Sequence, residues 1–303
     1  MAKNNYEIFS FFGFFISPLY ATITDTPQEL IIPQNETYVL TGSHSYTNQI
    51  KIDGILYVGG YNGSADSGRL NLISPSINIS STGKILADGR GYGSASGPGK
   101  GINAWSGSGG GYGGMGGKGA NVLGGQVYGS IVEPLELGSG GGVSRGSYGG
   151  GAGGGLIKLE VGNILRVDGE ISANGVGGGC SSWYSWRCGA SGSGGSAYIV
   201  TNNLEGSGTI SANGGQKGSS GAGGGGRIGI FYNTKQFNGN IISQGGGGSY
   251  PGEKGTVLEN GEIKSIAPVS EASPIAVTQA AETIGSETYL TETLTVQKTQ
   301  YRI

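Results

Sequence analysis

Apolar residues along this chain recur at every second position in short runs, the pattern of a strand with one buried face. The clearest run is Gly169-Glu-Ile-Ser-Ala-Asn-Gly175, with Ile171 and Ala173 on one side and Glu170, Ser172 and Asn174 on the other. Near-copies stand at Gly83-Lys-Ile-Leu-Ala-Asp-Gly89, Gly208-Thr-Ile-Ser-Ala-Asn-Gly214 and Gly239-Asn-Ile-Ile-Ser-Gln-Gly245. Their shared template is G-x-I-x-[A/S]-[N/D/Q]-G. So short a strand cannot bury its apolar face alone, so the recurrence predicts stacked equivalents whose Ile residues form a row. The Asn position reads as a turn residue at the edge of each unit. The expected fold is an all-β solenoid.

The same period marks other strands. Glu29-Leu-Ile-Ile32, Thr37-Tyr-Val-Leu40 and Ile50 to Val58 are bounded by Pro33, Gly42 and Gly59. This glycine-poor stretch, 22–60, is expected to close the first end of the stack. Leu70 with Leu72, Ile77 with Ile79 and Ile85 with Ala87 form three further inward pairs, read as three strands. From Leu156 a two-strand cycle sets in. A glycine run leads into Leu156–Val161, Ala197–Thr201 or Arg227–Tyr232, a short link follows, and a copy of the template comes next. Thr256 to Gly261 reads as a last, incomplete coil. The solenoid is expected over 22–267; after Pro268 glycine nearly vanishes, predicting a linker and then one strand, Tyr289 to Val296, in 268–303.

Composition changes the picture at one point. The chain holds 67 glycines among 303 residues, and glycine at that density ordinarily argues for a flexible chain. The 35% hydrophobic residues argue against that for the whole chain, because they fall in regular runs between the glycine tracts. Tyr112-Gly-Gly-Met115-Gly-Gly-Lys118-Gly-Ala-Asn121 keeps a three-residue period, that of a polyproline II helix, so packed polyglycine II helices are an alternative to disorder there. Tyr148 to Gly155 keeps no such period, and the reading is not extended to it.

Residues 1–21 read as a signal peptide: Lys3, an apolar run from Ile8 to Ile16, then Pro18 and Ala21 before a cut. The run is too short for a membrane span, so no membrane insertion is expected once the signal is removed. In an exported protein Cys180 and Cys188 would meet an oxidising compartment and close a small loop by a disulfide. The formal charge of -2 gives no reason to expect nucleic acid as a partner. Asn35, Asn62 and Asn78 open N-glycosylation triplets.

Motifs that carry chemistry are weak. His44 is the only histidine. Gly142-Val-Ser-Arg-Gly146 matches a nucleophile elbow but sits in glycine, with no strand before it or helix after it. Gly109, Gly111 and Gly114 match a dinucleotide pattern only as any chain this rich in glycine must. No catalytic residue, metal site or cofactor is expected. A polysaccharide-cleaving groove using Asp88, Asp168, Arg166 and Lys158 is the enzymatic alternative. The best contact candidate is Cys180-Ser-Ser-Trp-Tyr-Ser-Trp-Arg-Cys188, whose Trp183, Tyr184, Trp186 and Arg187 would present flat aromatic faces and a cation from a closed loop.

Taken together, the Gly208–Gly214 strand, Ala87-Asp-Gly-Arg-Gly-Tyr92, Tyr128-Gly-Ser130 with Leu135 to Gly142, and Gly223 to Ile230 resemble a glycine-rich family of right-handed parallel β-helices found in large secreted or surface proteins. The resemblance spans Tyr38 to Gly261. It implies a right-handed parallel β-helix with long glycine-rich loops and a structural or adhesive role in a secreted or cell-surface protein. The partners expected are extracellular glycans or surface proteins, with self-association as a further contact. A phage-type receptor-binding adhesin built on packed polyglycine helices is a third reading.

Overall fold

The computed structural model describes residues 22–145, 148–180, 188–216 and 220–265, together with the backbone of strands at 278–284 and 287–293. Among them the chain is all-β. The first six strands are short: β1 (Thr24–Asp25), β2 (Glu29–Ile32), β3 (Thr37–Leu40), β4 (Gly42–Ser45), β5 (Gln49–Ile52) and β6 (Ile55–Val58). Then long and three-residue strands alternate: β7 (Arg69–Ile79) and β8 (Lys84–Leu86), β9 (Leu156–Val167) and β10 (Glu170–Ser172). β11 (Ser196–Gly206) and β12 (Thr209–Ser211), then β13 (Arg227–Phe237) and β14 (Asn240–Ile242), repeat the alternation before β15 (Thr256–Glu259) and β16 (Glu262–Ser265).

The chain passes back and forth between two sheets. One has ten strands in the order β1-β2-β5-β7-β9-β11-β13-β15-β16, with β4 also on β7; the other runs β14-β12-β10-β8-β6-β3. Within these two sheets every strand pairing is parallel except β1 on β2 and β15 on β16. An unpaired edge is a template for association, and at both edges of the larger sheet the chain reverses to cover it. The second reversal is made at Asn260 and Gly261, with φ of 45° and 83°, the left-handed values of a tight hairpin.

The template copies lie in register on the smaller sheet. Ile85, Ile171, Ile210 and Ile241 are consecutive partners through β8, β10, β12 and β14. Ile85, Ile171 and Ile210 are fully buried, as are Ala87, Ala173 and Ala212. Facing them, Leu72, Leu159, Ile199 and Ile230 form a second buried row across the larger sheet. Parallel in-register stacking makes both rows, because each strand lays identical positions over one another.

Two expectations about strand boundaries change. Leu70 to Ile79 is one strand, not two, and the expected links after Val161, Thr201 and Tyr232 are absorbed into β9, β11 and β13. In-register neighbours supply hydrogen bonds through the polar middle of each run, where local pattern gives no strand signal. The one extra residue of β9 is accommodated as an irregularity opposite Ser74–Ser76 and Thr201–Asn203. The backbone of β17 (Thr278–Ile284) and β18 (Glu287–Thr293) pairs antiparallel, where composition alone suggests a linker and one strand. Residues 1–21 lie outside the described residues.

The glycine tracts are ordered. Extended segments run side by side, and their hydrogen bonds go to neighbours remote in sequence: Gly138 N to Gly154 O (2.9 Å), Gly154 N to Ser193 O (2.9 Å), Gly194 N to Gly224 O (2.9 Å) and Gly113 N to Gly225 O (3.0 Å). This satisfies buried backbone without helix or ladder. Side chains are excluded because a Cβ at most of these positions would overlap a neighbour's carbonyl oxygen. The Gly149–Gly155 run belongs to the packing too: Gly151 donates to Ala190 O and Gly153 to Tyr92 O. Order thus extends to a run without a three-residue period, since close packing needs glycine at the contacts and not a fixed period.

Candidate functional site

The template's Asn position stacks as well as turns. The Asp88 side chain accepts from Asn174 N (2.7 Å), Asn174 Oδ1 from Asn213 N (2.7 Å) and Asn213 Oδ1 from Gln244 N (2.8 Å). A side chain at this position thus takes up the amide of the equivalent residue one layer on, so these groups hold the fold together. Its last glycine is required by proximity: a Cβ on Gly175, Gly214 or Gly245 would strike the carbonyl of Gly192, Gly223 or Gly252.

The glycine-rich segments join the larger sheet through buried Tyr112. Its hydroxyl lies 2.7 Å from Ser196 Oγ, its ring centroid 4.8 Å from that of Tyr128, and Arg227 Cζ 5.5 Å from its centroid. Arg227 also donates through Nη2 to Tyr128 O (2.9 Å). Burial pushes the Tyr112 phenol up to about 12 and that of Tyr128 well above its ordinary value. These residues, far apart in sequence, meet at one joint.

Away from that joint, several turns converge. Ala104 pairs with Ser144, Arg145 N donates to Trp105 O (3.3 Å), and Val143 N donates to Asn103 Oδ1 (2.8 Å). Ala120 N bonds Ser106 O (2.8 Å), and Tyr250 pairs with Gly221. The anchor is the Cys188 carbonyl, which accepts from Ser144 Oγ (2.6 Å) and Ser220 Oγ (2.5 Å), while Ser106 Oγ reaches Ser220 Oγ (3.3 Å). Cys188 is disulfide-bonded to Cys180, so the bridge secures the residue on which two turns rest directly and a third through Ser220. The outer surface is aromatic, aliphatic and cationic: Trp105 is 55% and Leu123 64% exposed, and the Arg145 guanidinium carbon sits 4.1 Å from the Trp105 ring centroid.

The expected disulfide Cys180–Cys188 is present. Trp183, Tyr184, Trp186 and Arg187 lie outside the described residues; the ends of their loop sit in this cluster. Nothing in the sequence marks Trp105 and Arg145 as partners. The signal was available in the third tryptophan, isolated in glycine, but nothing local pairs it with an arginine forty residues away. Ser144 of the G-x-S-x-G run is buried and committed to Cys188 O, and His44 Nε2 contacts Thr41 O (2.9 Å). Of the four residues weighed for a cleaving groove, Arg166 pairs with Asp168 (2.6 Å), Lys158 pairs with Glu160 (2.9 Å), and Asp88 bonds Asn174. Among the described residues there is no group of three or more metal-ligating side chains and no helix long and apolar enough to cross a membrane.

Fold and site define an all-β protein of two parallel sheets, a packed glycine-rich body and a disulfide-anchored cluster of turns. No family model, curated protein or solved structure matches the chain.

Proposed function

We propose that this chain is a secreted or cell-surface structural and adhesive β-solenoid of the glycine-rich parallel β-helix kind. Its Tyr112–Asn121 segment acts as a packed polyglycine II helix, and its turn cluster meets extracellular glycans or surface proteins. In-register parallel rows on both sheets support the solenoid, and a disulfide is at home outside the cell. The observation that carries the adhesive reading is the exposed Trp105–Arg145 stack, set among turns that the Cys188 carbonyl ties together. A preorganised aromatic and cationic surface loses little entropy on binding. The phage-type receptor-binding reading draws on the same feature, in which a glycine-rich body carries the contact turns.

The test is adhesion of the purified chain to host-derived cells and to a panel of immobilised glycans and surface proteins. Trp105→Ala with Arg145→Ala is expected to abolish adhesion while thermal unfolding stays unchanged. Adhesion untouched by that pair sinks the assignment of this surface, and glycan turnover abolished by Asp168→Asn sinks the non-enzymatic reading. Amino-terminal sequencing of exported protein beginning just after Ala21 is expected.

A further inference from the structure

The solvent face of the larger sheet carries a second feature, remote in chemistry from the turn cluster. Ile73, Glu160, Val200 and Phe231 are consecutive in-register partners through β7, β9, β11 and β13, and all point outward. Ile73 and Val200 remain 37% and 39% exposed. Beside this row the strands bend, and two adjoining depressions of ≈ 600 and ≈ 570 Å³ run across them, sharing Val161, Gly162 and Val200. With strands about 4.8 Å apart, the groove is on the order of 15–20 Å long.

Its rim consists of carboxamides held in place. Asn202 Nδ2 donates to Gly162 O (2.6 Å), and Asn233 Nδ2 donates to Asn202 Oδ1 (2.9 Å). A carboxamide offers two N–H groups and two lone pairs, so Asn202 keeps one of each, and Asn233 one N–H and its carbonyl, for a ligand. The one charged side chain lining the groove is neutralised: Glu160 pairs with Lys158 (2.9 Å). The groove therefore combines an apolar, partly aromatic floor, fixed hydroxyl-matching groups and no uncompensated charge.

We propose that this groove binds an uncharged polysaccharide laid across the strands, apolar sugar faces on Val200 and Phe231 and hydroxyls on Asn202 and Asn233. An acidic polymer would find no free cation there, and a peptide backbone no free strand edge. The site is separate from the turn cluster and does not depend on its adhesive role.

The experiment is affinity electrophoresis and calorimetry of the full chain with galactomannan, dextran, a β-glucan, polygalacturonate and a casein digest. Retention by at least one neutral polymer and none by polygalacturonate or casein peptides is expected. Val200→Lys, a change at an outward position beside Glu160, and Asn233→Ala should each weaken that retention at least tenfold, with unfolding midpoints unchanged. Retention by polygalacturonate or peptides alone, by no polymer at all, or by a neutral polymer that both groove variants bind normally overturns the proposal. Loss through Trp105→Ala would place the binding at the turn cluster and overturn it too.

Discussion

Gly194→Ala tests whether the glycine-rich body is a packed solid. Gly194 is buried, and its N–H bonds Gly224 O at 2.9 Å. A Cβ there would overlap the Ala212 carbonyl and lie 2.6 Å from the Gly226 amide nitrogen. Those two groups are themselves hydrogen-bonded to each other (2.7 Å), and Gly195 N bonds Ala173 O (2.7 Å) in the same layer. The new methyl must push one segment outward and stretch some of these bonds. Overpacking costs about 1–3 kcal/mol, and a buried amide or carbonyl left unpaired costs about 1–3 kcal/mol more. The expected loss is roughly 3–5 kcal/mol, on the order of 10 °C in unfolding midpoint for a domain of this size. Gly93→Ala is the matched control, because a Cβ there meets nothing within 4 Å and the backbone is not left-handed. It should be neutral or stabilising by about 0.5 kcal/mol through the unfolded chain. Calorimetry and guanidinium titration of both variants decide the matter. A Gly194→Ala protein melting within about 2 °C of the Gly93→Ala protein, on the same scale of about 2–4 °C per kcal/mol, would refute close packing.

Three further outcomes follow from the same contacts. Asn213→Ala removes the acceptor for Gln244 N and should cost about 1 kcal/mol in chemical denaturation, whereas Asn213→Asp keeps the acceptor and should cost less. Reducing Cys180–Cys188 should lower stability by about 2.5 kcal/mol in the chain-entropy description. Hydrogen exchange should then quicken at Ala104, Arg145 and Gly189 but not along β9 or β11; unchanged exchange at the turns would mean that the bridge does not anchor them. The third outcome concerns alkaline pH. With the Tyr112 phenol at about 12 when folded and about 10 when unfolded, both states hold the proton below pH about 10. Above it the unfolded chain releases first, so stability should fall by up to about 2.7 kcal/mol as pH rises through about 12. Tyr112→Phe should reduce that slope in urea titrations from pH 9 to 12, leaving the part due to Tyr128, Tyr46 and the other tyrosines whose phenols burial and neighbouring carboxylates push up.

Period-two alternation named the buried Ile and Ala of the first three template copies, because Ile171 and Ala173 can face only one way in an extended chain. It did not show that Ser172 and Ser211 on the other face are buried too, or that Ile241 in the last copy is only half-buried. Recurrence of the copies implied that they stack, and the in-register row from Ile85 to Ile241 is that stack. The Asn position was legible as a turn and illegible as a ladder, since the amide that it accepts belongs to the next layer. The groove was equally hidden. Val200 and Phe231 look like ordinary outward strand positions, and only parallel pairing puts them beside Ile73 and Glu160.

What the amino-acid order determined by itself is therefore the local geometry: where the apolar cores of the strands lie, which side of each is apolar, and which two cysteines can close a short loop. Tertiary structure alone decided the glycines. Sequence treats a glycine as a freedom, because its backbone has no side chain to restrain it. In the folded protein most of these glycines are constraints, since a neighbouring segment's carbonyl occupies the space where a Cβ would stand. That neighbour is commonly tens of residues away, as Gly224 is from Gly194, so no local pattern can tell a flexible glycine tract from a packed one.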